Sequence, residues 1–448
     1  MRFCRPTGSH LAVCLLALSF SEYCFTADLL AVYRQAMEND SVYASARYAM
    51  EAGVEKEPQG LAGLLPVVGF TANTTATNAD VTYRAPTLFP SGNRFFNTSG
   101  YNVSLSQPLF RWQNWETYQQ GKLLSIQAEA TFAQAGQDLV VRTAQAYFDV
   151  LAAQDVLEVA RAQRAALDQQ FAQAKRSFDL GVATITDSNE AKSRYDLAVS
   201  AVIAAEGDLA VKRTTLRQII GRKPDDLVPL RPGIALPRPT PEKLEAWTDA
   251  AESSNYAVKA LDAGAEAAKR NIDINFAGHL PTLDLVASRS LASATGGTTI
   301  TVGSDINQTV TALQLSIPLF SGGAVNSKVR EARAQYAKAR ADLDTQKRAS
   351  VQSASEAYIG MTTALSQVSA YEVSVASSLL SLDSNKKSAS VGIRVTVDVL
   401  NAEQQLYQAK QNLAKARYDA IVNGFKLKAA AGLLSMDDVM AVNGLLAH

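Results

Sequence analysis

Histidine is nearly absent from the 448-residue chain, occurring only at His10, His279 and His448. A multi-histidine metal site within one chain is therefore excluded. Cysteine is confined to Cys4, Cys14 and Cys24. Once the first segment is removed, no disulfide, thiol nucleophile or cysteine-bound metal is possible. Neither charge sign dominates: 43 Lys plus Arg stand against 43 Asp plus Glu. Bulk charge thus recruits no nucleic acid and no acidic surface. Aromatics are scarce at 7%, and alanine supplies much of the 47% apolar fraction, so thick packing around large side chains is not expected. A Gly-x-Ser-x-Gly elbow, a His-Glu-x-x-His pair and a Walker loop are all missing. The adjacent acids Asp225-Asp226 and Asp437-Asp438 read as solvated pairs. The chain is not expected to be an enzyme, and no catalytic residue, cofactor or metal ligand is expected.

Long apolar runs are missing too. After residue 27 there is no 18-residue apolar stretch, so any membrane contact is expected through strands or a surface helix. Before it, Arg2 and Arg5 precede the apolar run Leu11–Phe20, interrupted only by Ser19. A basic segment followed by a run too short to span a bilayer reads as an export signal, residues 1–27.

Proline is absent between Pro108 and Pro224 and after Pro318. Because proline removes a donor and clashes with the preceding turn, these stretches can hold long helices. Six prolines fall between Pro224 and Pro241, so 224–241 reads as an extended connector. Within the proline-free stretches the apolar period is seven. Tyr195, Val202, Leu209 and Leu216 keep that step, as do Leu406, Leu413, Ala420, Leu427 and Leu434. So do Met361, Val368, Val375 and Leu382; Val150, Leu157, Phe171 and Phe178 follow it with Arg164 interrupting. Sustained heptads predict coiled-coil helices over about 112–180, 187–220, 322–390 and 398–431.

Beside Pro66, Pro108, Pro281 and Pro318 the period is two. Tyr101, Val103 and Leu105 alternate with Asn102, Ser104 and Ser106; Leu313, Leu315 and Ile317 alternate with Gln314 and Ser316. Four strands are predicted, about 66–77, 99–108, 281–291 and 308–318, each with one apolar and one mostly polar face. The Gly, Thr, Ser and Asn-rich stretches around 78–98 and 292–307 read as loops. Phe110, Trp112, Trp115 and Phe320 lie just past the strands and suit a membrane–water boundary.

The chain is an internal duplication. Pro108-Leu109-Phe110 recurs as Pro318-Leu319-Phe320. Ala146-Tyr147, Gly181, Asp187 and Gly221 recur as Ala357-Tyr358, Gly392, Asp398 and Gly432, all 211 residues later. Two tandem repeats, 28–223 and 242–432, are followed by a tail, 433–448. Glycine at each break lets the chain turn at a helix end and fold back as an antiparallel hairpin. Four strands cannot close a membrane barrel, since the smallest use about eight. Open edges in lipid are prohibitively unsatisfied, so strands from several chains must join. Asn102, Ser104, Ser106, Gln314 and Ser316 would then line a wet lumen.

Three segments carry a family resemblance: Val391-Gly392-Ile393-Arg394, Val397-Asp398-Val399-Leu400-Asn401-Ala402, and Tyr407 through Tyr418. Their first-half counterpart is Gly181-Val182-Ala183-Thr184-Ile185-Thr186-Asp187. With the duplicated proline corners, the mature chain resembles the TolC family of outer-membrane channel-tunnels. The resemblance implies a mainly α fold with a membrane β-barrel contribution. It implies a homotrimer in which four strands per chain form a twelve-stranded barrel and the long helices form a periplasmic tunnel. A belt of mixed structure, here 222–250 and 433–448, would wrap the tunnel. The implied function is passive conduction in a tripartite efflux or type I secretion system. The implied partners are outer-membrane lipid, a periplasmic adaptor and an inner-membrane pump, ABC-type or proton-driven.

Residue by residue, Asp398 matches the family's aspartate ring at the constricted tip. Arg394 matches the residue that ties neighbouring hairpins, with Thr186 and Asp187 as partners. A second aspartate of the family is Asn401 here, and its tyrosine three residues before the turn glycine is Ala389. The resemblance therefore implies a gate leaning on Arg394 and Asp187. Gly181, Val182, Gly392 and Ile393 match the turns where adaptors dock. The N-terminal position of Asp187 also reads as a helix cap. Two rivals differ in pattern. A periplasmic adaptor would show one hairpin flanked by small β domains. An exported structural coiled coil would lack the period-two segments.

Overall fold

A computed structural model describes residues 27–85, 88, 90–300, 302–391 and 393–447. The export signal falls almost wholly outside the described residues, as do Gly392 and His448. Three short helices, α1 (Leu29–Asn39), α2 (Ser41–Val54) and α3 (Lys56–Ala62), lead into strands β1 (Val67–Val81) and β2 (Gly92–Phe110). The long helices α4 (Trp112–Asp179) and α5 (Ile185–Ile220) complete the first half. The second half follows the same plan with two leading helices instead of three: α6 (Leu244–Ser254), α7 (Tyr256–Phe276), β3 (Thr282–Ala294), β4 (Ser304–Ser316), α8 (Ala324–Ser390) and α9 (Thr396–Ala430). A short helix, α10 (Met436–Asn443), forms in the tail.

Helix α4 has 68 residues, which at about 1.5 Å per residue makes a rod roughly 100 Å long. Alanine seams let such rods approach closely, and most heptad positions form their cores, but Phe178 at the hairpin tip is exposed because the partner helix has not yet begun there. Val202, Leu209 and Leu216 are buried on α5, as are Leu406, Ala420 and Leu427 on α9. The largest core lies where α1, the connector and the tail meet α4, α5 and α9. There Tyr147 is fully buried, and its hydroxyl donates to the carbonyls of Val228 (2.8 Å) and Ala27 (3.3 Å). Those bonds pin both the connector and the segment just before α1 to α4. Leu230 bridges to Leu446, so the tail closes on the same connector.

Each hairpin carries an ion pair at the matched position, but with the signs exchanged. Arg161 meets Glu206 at 2.7 Å across α4 and α5, and Arg417 meets Glu372 at 2.7 Å across α8 and α9.

The sheet is antiparallel throughout, in the order β1-β2-β3-β4. Strand β2 pairs with β3, so the two halves share one wall. The strands differ from the sequence expectation in length. Residues 78–81 and 92–98 continue the β1–β2 ladder, with Asn78 opposite Phe95 and Thr75 opposite Thr98. Residues 292–294 and 304–307 likewise extend β3 and β4. In this outer part of the sheet each face mixes polar residues with apolar ones such as Phe95 and Phe96. The hydropathy alternation fades there while the hydrogen-bond ladder continues.

Alternation of exposure along β2 shows how the sheet curls. Phe95, Asn97, Ser99, Tyr101 and Val103 are exposed, while Arg94, Phe96, Thr98, Asn102 and Ser104 are half-buried. The half-buried set therefore lies on the concave side of the curl. In the single chain β1 and β4 pair on one side only, and their outer edges are open. No described helix is long and apolar enough to cross a membrane.

Candidate gate, hairpin tips and sheet wall

The register places Asn102, Ser104, Ser106, Gln314 and Ser316 on one face. Ser104 lies opposite Gly69 and Ser288, Asn102 opposite Thr71 and Ser290, and Ser106 opposite Val286, which faces Ala312. Gln314 opposes Asp284 and Ser316 opposes Thr282. This is the concave face. The convex face carries Val68, Phe70, Tyr101, Val103, Leu105, Leu285, Leu313 and Leu315. Phe70 and Tyr101 stack on it with ring centroids 6.3 Å apart.

At the base of the sheet, Pro108 cannot donate to the ladder, and the register shifts between Pro108 and Phe110. Arg111 then reaches across to Asp284 on β3 with two hydrogen bonds, 2.8 and 2.7 Å. A forked guanidinium–carboxylate pair of this kind fixes direction as well as distance. It sets the angle at which α4 leaves the sheet. Phe110, Trp112 and Trp115 are each two-fifths or more exposed around this junction, and Phe320 is almost fully exposed.

The first hairpin tip ends in a glycine turn. Gly181 adopts φ +74°, its N–H bonds to Phe178 O at 2.8 Å, and Val182 N–H bonds to Ser177 O at 2.9 Å. This is the Schellman pattern. In the second hairpin Ile393 N–H bonds to Ser388 O at 3.0 Å, the same six-residue closure. Leu180 and Val182 on one tip, and Val391 and Ile393 on the other, are all more than two-thirds exposed. Apolar side chains held out at a turn are unpartnered within the chain.

Asp187 works locally. Thr184 is the N-cap of α5 and Asp187 sits at the third helical position. The Asp187 carboxylate accepts from Thr184 N–H (3.1 Å) and Thr184 O–H (2.7 Å), while Asp187 N–H donates to Thr184 Oγ1 at 3.2 Å. The helix therefore begins at Ile185, two residues before the sequence expectation. Arg394 meets Asp398 at 3.3 Å, one turn along the chain. Within one chain the structure joins Arg394 to Asp398, not to Thr186 or Asp187. Thr186 and Asn401 are exposed. Ala389 packs beside the small cluster of Leu382, Val399, Ala402 and Leu406.

Sequence reasoning missed two polar fasteners between the halves. Glu403 of α9 is only 2% exposed; it accepts from Gln170 of α4 and pairs with Lys386 of α8 at 3.4 Å. A charged residue between Leu400 and Leu406 was the available signal. Higher up, Tyr418 of α9 donates to Asp155 of α4 at 2.8 Å. Burial pushes the Asp155 carboxyl above its ordinary range, against the Tyr418 hydrogen bond that lowers it. Burial likewise raises the Tyr418 phenol.

Two further apolar seams face away from the hairpin cores. Ile359, Val373 and Leu380 on α8, and Leu197, Ile203 and Val211 on α5, are all more than half exposed. No group of three or more His, Cys, Asp or Glu among the described residues could hold a metal ion.

Comparison with known proteins agrees with this architecture. The family model described as outer membrane efflux protein matches residues 32–222 and 247–433. Outer membrane protein TolC of Vibrio cholerae is 30% identical over 95% of this chain and 95% of its own length. Alkaline protease secretion protein AprF of Pseudomonas aeruginosa is 31% identical over 95% of this chain and 88% of its own. Among solved structures, the outer membrane protein VceC from Vibrio cholerae superposes with a TM-score of 0.76 at 18% identity, covering 90% of this chain and 96% of that one. The duplicated hairpins, the curled four-stranded wall and these matches have one conclusion: the chain belongs to the outer membrane efflux protein family, the TolC-type channels of the outer membrane that extend into the periplasm.

Proposed function

We propose that three copies of this chain close a twelve-stranded barrel over a twelve-helix tunnel, and that the assembly passively conducts cargo out of the cell. The observation that carries the reading is the pair of open edges on β1 and β4. A ladder ending in lipid leaves backbone groups unsatisfied at several kcal/mol each, and closure removes that cost. The exposed seams on α5 and α8 are the helical counterpart, two apolar stripes waiting for neighbouring chains. On this reading Asn102, Ser104, Ser106, Gln314 and Ser316 face the lumen. Phe110, Trp112, Trp115 and Phe320 mark the periplasmic membrane boundary.

An inner-membrane pump supplies energy and cargo, and a periplasmic adaptor engages the tips at Gly181, Val182, Gly392 and Ile393. The exposed Leu180, Val182, Val391 and Ile393 supply an apolar docking surface. Three Asp398 carboxylates near a narrow axis would attract cations and repel one another, which Arg394 moderates from 3.3 Å away. Arg394, with Thr186 and Asp187 of a neighbouring hairpin, holds the tip closed, and Glu403 and Asp155 fasten α9 to α4. Secretion of whole proteins is the favoured cargo class, because AprF, a protease secretion protein, matches nearly end to end. Purification in detergent should give the mass of three chains. In planar bilayers Arg394→Glu should raise single-channel conductance. A monomer that stays folded without detergent, or an unchanged conductance, would overturn the reading.

A further inference from the structure

We propose that Arg289 is a binding site for a phosphate group of the glycolipid that forms the outer leaflet of the outer membrane. The four strands contain two basic side chains, Arg94 and Arg289. Arg94 lies on the concave face and donates to Pro90 O. Arg289 lies on the convex face, between Val103 of β2 and Thr309 of β4. It is exposed and makes no hydrogen bond or ion pair among the described residues. Below it on the same strand and face are Leu283, Leu285 and Ala287; above it are Leu291 and then Ser293.

An unpaired cation on a lipid-facing wall is costly near the midplane and tolerated near an interface. Arg289 stands six residues from Leu283, roughly 20 Å along the strand at about 3.3 Å per residue. For a strand tilted by about 40° that is roughly 15 Å of rise within an apolar band about 25 Å tall. The residue is thus in the half of the band remote from the tunnel helices, the outer-leaflet half. A guanidinium on a long aliphatic stem extends toward the boundary from there. At that boundary the convex face turns polar, with Ser99, Asn97, Ser293, Asn307 and Asp305. The Phe70–Tyr101 stack lies beside it on the same face, an aromatic pair at headgroup approach. Guanidinium binds phosphate through paired charge-assisted hydrogen bonds, so a phosphorylated headgroup satisfies a cation that the protein leaves single.

The inference rests on the convex face being the lipid-facing one. The assembled channel, reconstituted in lipid nanodiscs, tests both statements. Bisphosphorylated lipid A, its dephosphorylated form and phosphatidylglycerol are offered in turn, and retained lipid is counted by native mass spectrometry. The wild type should retain bisphosphorylated lipid A about tenfold better than either alternative, Arg289→Gln should lose the preference, and Arg289→Lys should keep part of it. Equal retention by wild type and Arg289→Gln overturns the site, and equal retention of phosphatidylglycerol by the wild type overturns its assignment to the glycolipid. A Phe70→Trp reporter should be quenched by brominated lipid. Quenching together with equal lipid retention refutes the phosphate site alone; an unquenched reporter refutes the orientation of the wall and the site with it.

Discussion

Replacing Gly432 by alanine should destabilise the belt more than the same change at Gly221, its counterpart 211 residues earlier. Both glycines end a tunnel helix in the left-handed region, φ +70° and +74°. Alanine there costs about 1–2 kcal/mol at either position. The surroundings differ. A Cβ at Gly221 would meet Asn39 Cβ at 3.0 Å, a contact that a small shift at the end of α1 relieves. A Cβ at Gly432 would lie 2.3 Å from Ser254 O and 2.7 Å from Ser254 C, which are backbone at the end of α6. Relieving that overlap moves helix α6 against α9, a change of the overpacking kind that adds about 1–3 kcal/mol. Heat dissociation of the detergent-solubilised assembly, followed on semi-native gels, reads the difference. Gly432→Ala should dissociate at a clearly lower temperature than Gly221→Ala. Gly221→Asn should be milder than Gly221→Ala, because asparagine tolerates this conformation. Equal losses at the two glycines would refute the argument from backbone contact.

Four further outcomes are expected. Asp155→Asn should remove a pH dependence: the folded carboxyl titrates above its ordinary 3.8, so wild-type stability falls as pH rises from that value through the raised one, and the variant should show a flatter thermal-stability profile over the window. Asp40 has the opposite sign. Burial works to raise it, but the Arg142 guanidinium, at 3.0 and 3.1 Å, and the Tyr43 N–H hold it below 3.8. Its contribution is therefore present above about pH 4 and lost on further acidification, and Arg142→Ala should weaken resistance at neutral pH far more than at pH 3. Glu403→Ala should unfasten α9 from α4 and increase open-channel noise in bilayers without changing expression; a silent trace would remove Glu403 from the gate. Arg111→Ala should lower the dissociation temperature of the assembly, since it strands Asp284, only 10% exposed, without its forked partner at a cost of about 1–3 kcal/mol.

The helices and their breaks are legible in the sequence because heptads and proline gaps act over long stretches. The seven-residue step alone assigns Val202, Leu209 and Leu216 to a core, and all three are buried. Strand length is less legible, since Asn78, Asn97 and Thr98 carry no hydropathy contrast between faces, and only the backbone ladder reveals them. Residues meeting across great sequence distance are illegible: Tyr418 with Asp155, Gln170 with Glu403, Arg111 with Asp284. Heptad spacing says that a position is apolar-facing; it does not say which other helix supplies the partner. Asp187 is visible as a helix-start residue, but the Thr184 box that engages it depends on where the turn ends.

The two inter-helix bridges with opposite polarity, Arg161–Glu206 and Glu372–Arg417, imply a sorting rule written into the duplicated rods. Were α4 to zip with α9 in the register it uses with α5, arginine would confront arginine; α8 against α5 would set glutamate on glutamate. An ancestral gene copied end to end would have offered each rod two equivalent mates. Exchanging the signs in one copy removes that degeneracy, so a chimaera carrying the same half twice would regain the ambiguity that this sequence has shed.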